Sequence, residues 1–337
     1  MKRWQVLLGL GISALFLYFA LRGMHLAEIW ETVRTARVIW VLPGIPIYFF
    51  GLWLRSLRWR IFLKPIKRLS IQHLFPIIAI GYMGNNIYPA RLGELVRSAI
   101  LKKEDDIAIS ASLATIIIER IFDGIVMLGF ILLNLSAISL MAHSAEIRAT
   151  INTVALWGSG IFIVTFLIFL LSAFFQKSVS LFLNKLTHKI LPLKFSRPAM
   201  GLMEKFFSGI QSLSSPLDTI FALLLTTAIW LVETLFYWII MRAFPFQVSF
   251  GTLMLLNGFL NLFTIIPSSP GYIGTFDAPG IAILVALGIQ PQLAAGYTLL
   301  LHAALWLPVT ILGAIFFAKK GISWNEAINT AKQGRSN

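Results

Sequence analysis

Arg91, Glu94 and Arg97 lie in the polar stretch GNNIYPARLGELVR, residues 84–97, inside a strongly apolar sequence. On a helix they recur at i, i+3 and i+6, so Glu94 is within reach of either arginine. Two readings stay open: a solvated charged turn, or an anion site. In the second, Arg91 grips phosphate oxygens with its planar fork. Asn85, Asn86 and the surrounding backbone add donors, and a helix beginning after Pro89 turns its positive end to the same place. A second group, Glu119, Arg120 and Asp123, falls inside a long apolar helix at 107–138. Glu119 and Asp123 share a face at i, i+4, and Arg120 reaches Asp123 at i, i+3. They make either a structural ion pair or a mixed site, with Arg120 as a second phosphate contact and a carboxylate as counter-charge or proton carrier. A charge in hydrocarbon costs about 2.5–3.5 kcal/mol on insertion scales, so it is rarely idle.

Three further titratable residues stand in apolar surroundings: Glu233, Asp277 and His302. Glu233 and Asp277 are either paired through space or protonated during a transport cycle. His302 is either a hydrogen-bonded histidine or a proton relay. The five histidines are scattered, with no HExxH or H-x-x-x-H spacing, and neither a P-loop nor a dinucleotide fingerprint occurs. No metal, cofactor or catalytic residue is therefore expected.

The elements that must hold these residues are membrane helices. With 58% hydrophobic and 12% charged residues, and apolar runs of 18 or more, the sequence reads as an integral membrane protein. Cysteine is absent, which excludes disulfides and thiolate-held metals. The net charge of +14 collects in loops beside apolar spans, where it sets topology and meets anionic lipid rather than nucleic acid. Spans are expected at 4–21, 38–54, 107–138, 151–175, 217–244 and 293–318, with an interfacial connector at 26–37 and a basic surface segment at 176–215. Arg55, Arg58, Arg60, Lys64, Lys67 and Arg68 read as a basic loop after the second span.

Two apolar segments are broken, at 71–101 and at 250–289. The first break carries Pro89 and Gly93; the second carries Pro267, Pro270, Gly271 and Gly274, residues that permit turns no ordinary helix allows. Each break is followed by an acid, Glu94 or Asp277. The order of two spans, a hairpin and a span over 4–138 repeats over 151–318, inverted because three full spans separate equivalent elements. The expectation is an all-α polytopic protein of six full spans and two re-entrant hairpins, eight hydrophobic segments in all, forming one membrane domain at 1–320 with a polar tail at 321–337. With the N-terminus inside, most of the 28 basic residues fall on one side, leaving Arg22, Arg34, Arg37, Arg148 and Arg242 on the other. Full crossings in place of re-entry would preserve the same sidedness; short half-lengths and the central Pro, Gly and Asn favour re-entry.

Asn86-x-x-Pro89-Ala90-Arg91-x-Gly93-Glu94, then Glu119-Arg120-x-x-Asp123, then Pro267-x-x-Pro270-Gly271-x-x-Gly274, resembles the transmembrane flippase domain of bacterial lysylphosphatidylglycerol synthases and related stand-alone membrane proteins. The resemblance runs over about 2–320. It departs at Asp277, where that family usually carries Glu, and at His302, where relatives often place Arg. It implies movement of a phosphate-headgroup lipid, an anionic phospholipid or polyprenyl-phosphate-type carrier, between leaflets of the cell membrane; the charge count above puts both termini in the cytoplasm. Arg97 joins Asn85, Asn86, Arg91, Glu94 and Arg120 as substrate contacts under this reading. The aminoacyl-transferase domain of the full synthases is not matched before the chain stops at Asn337, so that activity is not expected. A membrane transferase with Glu94 or Asp123 as general base, and a scaffold for a separately encoded lipid-modifying enzyme, are the alternatives.

Overall fold

The computed structural model describes residues 3–88, 91–139, 215–266 and 269–320, with parts of 152–175. Pro89, Pro267, the surface segment expected at 176–215 except for Ser215, and the tail at 321–337 lie outside the described residues. Regular structure among the described residues is entirely helical. Helix α1 (Arg3–Leu21) and helix α2 (Leu26–Thr35) are bent by 84° at the break between them. After a 3₁₀ turn (Val38–Trp40) come α3 (Val41–Leu63), α4 (Ile71–Ile87), α5 (Leu92–Asp105) and α6 (Ile109–Ser139). The second half holds α7 (Pro216–Met241), α8 (Phe250–Phe263), a 3₁₀ turn (Pro270–Tyr272), α9 (Asp277–Ala286) and α10 (Pro291–Lys320). Serines cap three of these starts: Ser70, Ser215 and Ser249 accept from the backbone N–H three residues on.

The chain is a polytopic helical membrane protein. Val38–Leu63, Pro216–Met241 and Pro291–Lys320 are long and apolar enough to cross a bilayer, and α1 with α2 forms a bent fourth candidate. The 31 residues of α6 exceed the roughly 20 that a crossing needs. Polarity is inside out: Arg58 is 1% exposed in the interior while Leu133 is 76% exposed on the outer surface. That is the opposite of a water-soluble bundle and suits hydrocarbon.

One expectation is corrected here. The second span does not stop near residue 54 with a basic loop behind it; α3 continues to Leu63 and carries Arg55 and Arg58 into the protein interior. The continuation is possible because both guanidiniums find carboxylates on other helices, which offsets the cost of burying them.

Helices α3 and α7 pack antiparallel along their length, from Gly44 against Phe236 to Lys64 against Asp218. Between α4 and α5 the chain reverses so tightly that a Cβ on Gly93 would stand 1.8 Å from the Gly81 carbonyl oxygen. At 17 and 14 residues these two helices are short for crossings, as are α8 and α9 at 14 and 10. Helix α10 borders both reversals. Its C-terminal half lies against α4, with Phe316 on Phe75, Gly313 against the Ala79 carbonyl, and Thr310 bonded to Asn86. Its N-terminal half lies against α9, with Thr298 on Gly280 and His302 on Asp277. The two reversals thus approach from opposite ends of α10, and their tips meet near His302 and Trp306.

Candidate functional site

Each tip is shaped by its backbone. Arg91 precedes α5 in the left-handed region at φ 53°, and there it leans on the other tip. Its Nη2 donates to the Thr264 carbonyl at 3.2 Å and to Thr264 Oγ1 at 3.3 Å, and its guanidinium lies 5.7 Å from the Tyr272 ring centre. The second tip turns at Gly271 and Gly274, with φ 70° and 84°, values that favour glycine. A Cβ on Gly274 would also meet the Ser13 carbonyl oxygen at 2.6 Å. The Gly274 N–H donates to Asp277 Oδ2 at 2.9 Å, closing the turn onto the start of α9.

The sequence-predicted residues divide on inspection. Arg91 stands 3.7 Å from Glu94, as an i, i+3 pair should. Arg97 does not share Glu94; it turns back to Glu119, Nη1 to Oε2 at 3.2 Å and Nη2 to Oε1 at 3.3 Å, with its guanidinium 3.9 Å above the Trp59 ring. Arg120 takes the vacated place, 3.8 Å from Glu94, 3.9 Å from Glu119 and 3.6 Å from Asp123. Asn86 was expected to offer free donors, and here the expectation is corrected. Its amide is committed to Thr310 Oγ1 at 2.8 Å and the Trp306 carbonyl at 3.2 Å, tying the first tip to α10.

Glu233 is alone in its own span but not in space. Its Oε2 lies 2.6 Å from Arg55 Nη2, and its Oε1 accepts from Asn261 at 3.3 Å. Asp123 Oδ1 accepts from Arg58 Nη1 at 2.6 Å and from Trp230 Nε1 at 2.9 Å. Arg55, on the cavity wall, and Arg58, behind it, are the charged residues that the sequence placed in a loop. The available signal was the pair of intramembrane acids, Asp123 and Glu233, together needing more cation than Arg120 supplies.

His302 joins the second tip to α10. Its Nε2 is 2.7 Å from the Gly271 carbonyl oxygen, which only accepts, so that nitrogen carries hydrogen. Its Nδ1 is 2.8 Å from Asp277 Oδ1, a separation that two bare lone pairs would not hold. One proton therefore lies between them, and the pair is neutral overall whichever partner owns it.

Between the tips sits a cavity of about 120 Å³, room for several waters or a phosphate group. Arg55, Arg91, Arg97 and Arg120 line it against Glu94 and Glu233, with Tyr82, Trp230, Tyr272 and Trp306 as apolar walls. Glu119, Asp123 and Asp277 stand behind this lining. Four buried polar atoms of the lining residues have no hydrogen-bond partner: Asn85 Oδ1, Arg97 Nε, and Glu94 Oε1 and Arg120 Nε, which face each other at 3.8 Å, too far for a hydrogen bond. Buried polar atoms are normally satisfied, so a cluster of unsatisfied ones around one cavity makes it the candidate site for a polar guest. Among the described residues, no group of three or more His, Asp or Glu side chains is placed to hold a metal ion.

The family model described as the lysylphosphatidylglycerol synthase TM region matches residues 6–313, which include every residue of this cavity. The chain belongs to that family. Among its relatives, a UPF0104 membrane protein of Methanothermobacter thermautotrophicus is 27% identical over 89% of this chain and 92% of its own length. A second UPF0104 membrane protein, from Pyrococcus horikoshii, is 25% identical over 86% and 89%. The glycosyltransferase AglD of Haloferax volcanii is 24% identical over 98% of this chain but 56% of its own length. No solved structure matches. In this lysylphosphatidylglycerol synthase TM region, then, the polar motifs of the two broken segments converge on one arginine-rich cavity.

Proposed function

We propose that the chain moves a lipid with an anionic phosphate headgroup between membrane leaflets. The carrying observation is the cavity at the meeting point of two opposed broken segments, lined by four arginines against two glutamates. Arginine forks suit phosphate oxygens, and Arg91 and Arg120 are the pair closest to spare capacity. Broken helices that meet near the midplane, entering from opposite sides, are how secondary transporters build a site reachable from either face. In this reading the two halves are inverted repeats and the reversals are re-entrant. The end of the bundle bearing Lys64, Lys67, Lys102 and Lys320 faces the cytoplasm by the positive-inside rule. The chain makes and breaks no covalent bond; a separately encoded enzyme supplies or consumes its lipid.

One observation favours a second reading, a transferase acting on a lipid phosphate: the Haloferax relative is named a glycosyltransferase. That protein extends well beyond the matched part, so its named activity need not reside there. Proteoliposomes separate the readings. Purified protein is expected to make a fluorescent anionic phospholipid or a polyprenyl phosphate on the inner leaflet accessible from outside, and Arg91→Ala, present at the same level, to lose this. Product formation from sugar donors without any movement of lipid would establish the transferase instead.

A further inference from the structure

The charges around the cavity are countable, and the count selects among phosphates. Arg55 is matched by Glu233 at 2.6 Å, Arg58 by Asp123 at 2.6 Å and Arg97 by Glu119 at 3.2 Å. Each of these acids is less than a tenth exposed and lies nearest that guanidinium, with Arg120 farther off at 3.6 Å from Asp123 and 3.9 Å from Glu119. What remains is Glu94 between two arginines, Arg91 at 3.7 Å and Arg120 at 3.8 Å. The Asp277–His302 pair adds nothing, being neutral as a unit. One positive charge is left over, and it lies on the cavity wall where Glu94 Oε1 and Arg120 Nε lack hydrogen-bond partners.

We infer that the site is built for a singly charged phosphodiester headgroup and discriminates against a phosphomonoester. This rests on the lipid-phosphate reading above and narrows it to the anionic phospholipid, since a polyprenyl phosphate is a monoester. A phosphodiester brings one negative charge, which the surplus guanidinium cancels. A phosphomonoester carries between one and two near neutrality and two at pH 8, since its second ionisation falls near pH 6. Its second charge would sit without a counter-charge among buried ion pairs that are already matched, and an unpaired buried charge is costly in a protein interior. The close ion pairs cannot release a second arginine without stranding a buried carboxylate.

The test is equilibrium binding by calorimetry at pH 8, on the full chain in detergent, with two soluble lipids that differ by one methyl group. Dihexanoyl phosphatidylmethanol is the diester and dihexanoyl phosphatidic acid the monoester. The diester is expected to bind at least tenfold more tightly, on the scale of a charge-assisted contact. Glu94→Gln, which raises the surplus to two positive charges, is expected to reverse the order. Equal or tighter binding of phosphatidic acid by the unmodified chain would overturn the inference, as would no binding of either. Preferential diester binding without movement in proteoliposomes would uphold it and sink the translocase reading. Dimethyl phosphate, the same monoanion without acyl chains, separates the sources: binding as tight as the lipid's would uphold the charge class and point to a soluble ligand.

Discussion

Arg58 Nη1 and Asp123 Oδ1 meet at 2.6 Å in the interior, with Trp230 of α7 donating to Asp123 and Thr226 of α7 accepting from Arg58. The pair joins three helices at a point where neither charge reaches solvent. Arg58→Ala strands the carboxylate and is expected to cost about 3–5 kcal/mol, seen as a large drop in thermal unfolding temperature in detergent. Arg58→Met with Asp123→Leu removes both charges and is expected to recover most of that loss. A double variant as unstable as the single one would mean that the pair is not the source of the effect.

Arg120 should behave in the opposite way. It is 38% exposed, faces the cavity, and stands no closer than 3.6 Å to any of its three carboxylates. Arg120→Gln is expected to leave the unfolding temperature within a few degrees while lowering lipid movement roughly tenfold or more, the scale of one lost charge-assisted contact. Normal movement at normal protein level would remove Arg120 from the site.

Glycine packing gives an internal control. Gly93 has no space for a methyl group against the Gly81 carbonyl, whereas a Cβ on Gly124 meets nothing within 4 Å. Gly93→Ala is expected to push α4 and α5 apart, reducing folded yield and abolishing activity. Gly124→Ala, also within a helix, is expected to fold normally and to be slightly stabilised, since alanine favours helix by about 0.5–1 kcal/mol over glycine. Size-exclusion profiles of the two variants check this directly.

His302 is expected to act as a double clasp. His302→Phe keeps a planar ring but leaves Asp277 and the Gly271 carbonyl without their partner. A loss of about 2–4 kcal/mol follows from two broken hydrogen bonds, one of them charge-assisted. Thermolysin, which cuts at apolar residues, should then cleave near the second tip more readily in native membranes, where trypsin has no Lys or Arg to act on. Unchanged cleavage would show that His302 does not hold the tip.

The residues legible in the sequence were those whose partners lie within one helical turn. Arg91 with Glu94, and Arg120 with Asp123, follow from spacing, and both pairs are present. The breaks at Gly93, Gly271 and Gly274 were legible because only glycine suits such close approaches and positive φ values. Arg55 and Arg58 were not legible, because Arg55, Arg58, Arg60 and Lys64 within ten residues look like the end of a span. Only partners on α6 and α7, distant along the chain, make the first two an interior feature. Asn86 misled for a similar reason: its amide is used up by Trp306 and Thr310, more than 200 positions away.

The pairing of Arg55 with Glu233 also has a consequence in time. The two residues are 178 positions apart, one in each half of the chain. At about 5–20 residues per second, roughly 10–35 s of synthesis separate the appearance of Arg55 from that of its counter-charge. Through that interval the first half waits at the membrane with a guanidinium it cannot yet neutralise. Final seating of α3 beside its neighbours must then follow the arrival of α7, so a ribosome stalled before residue 233 would leave a half-protein for membrane quality control to find.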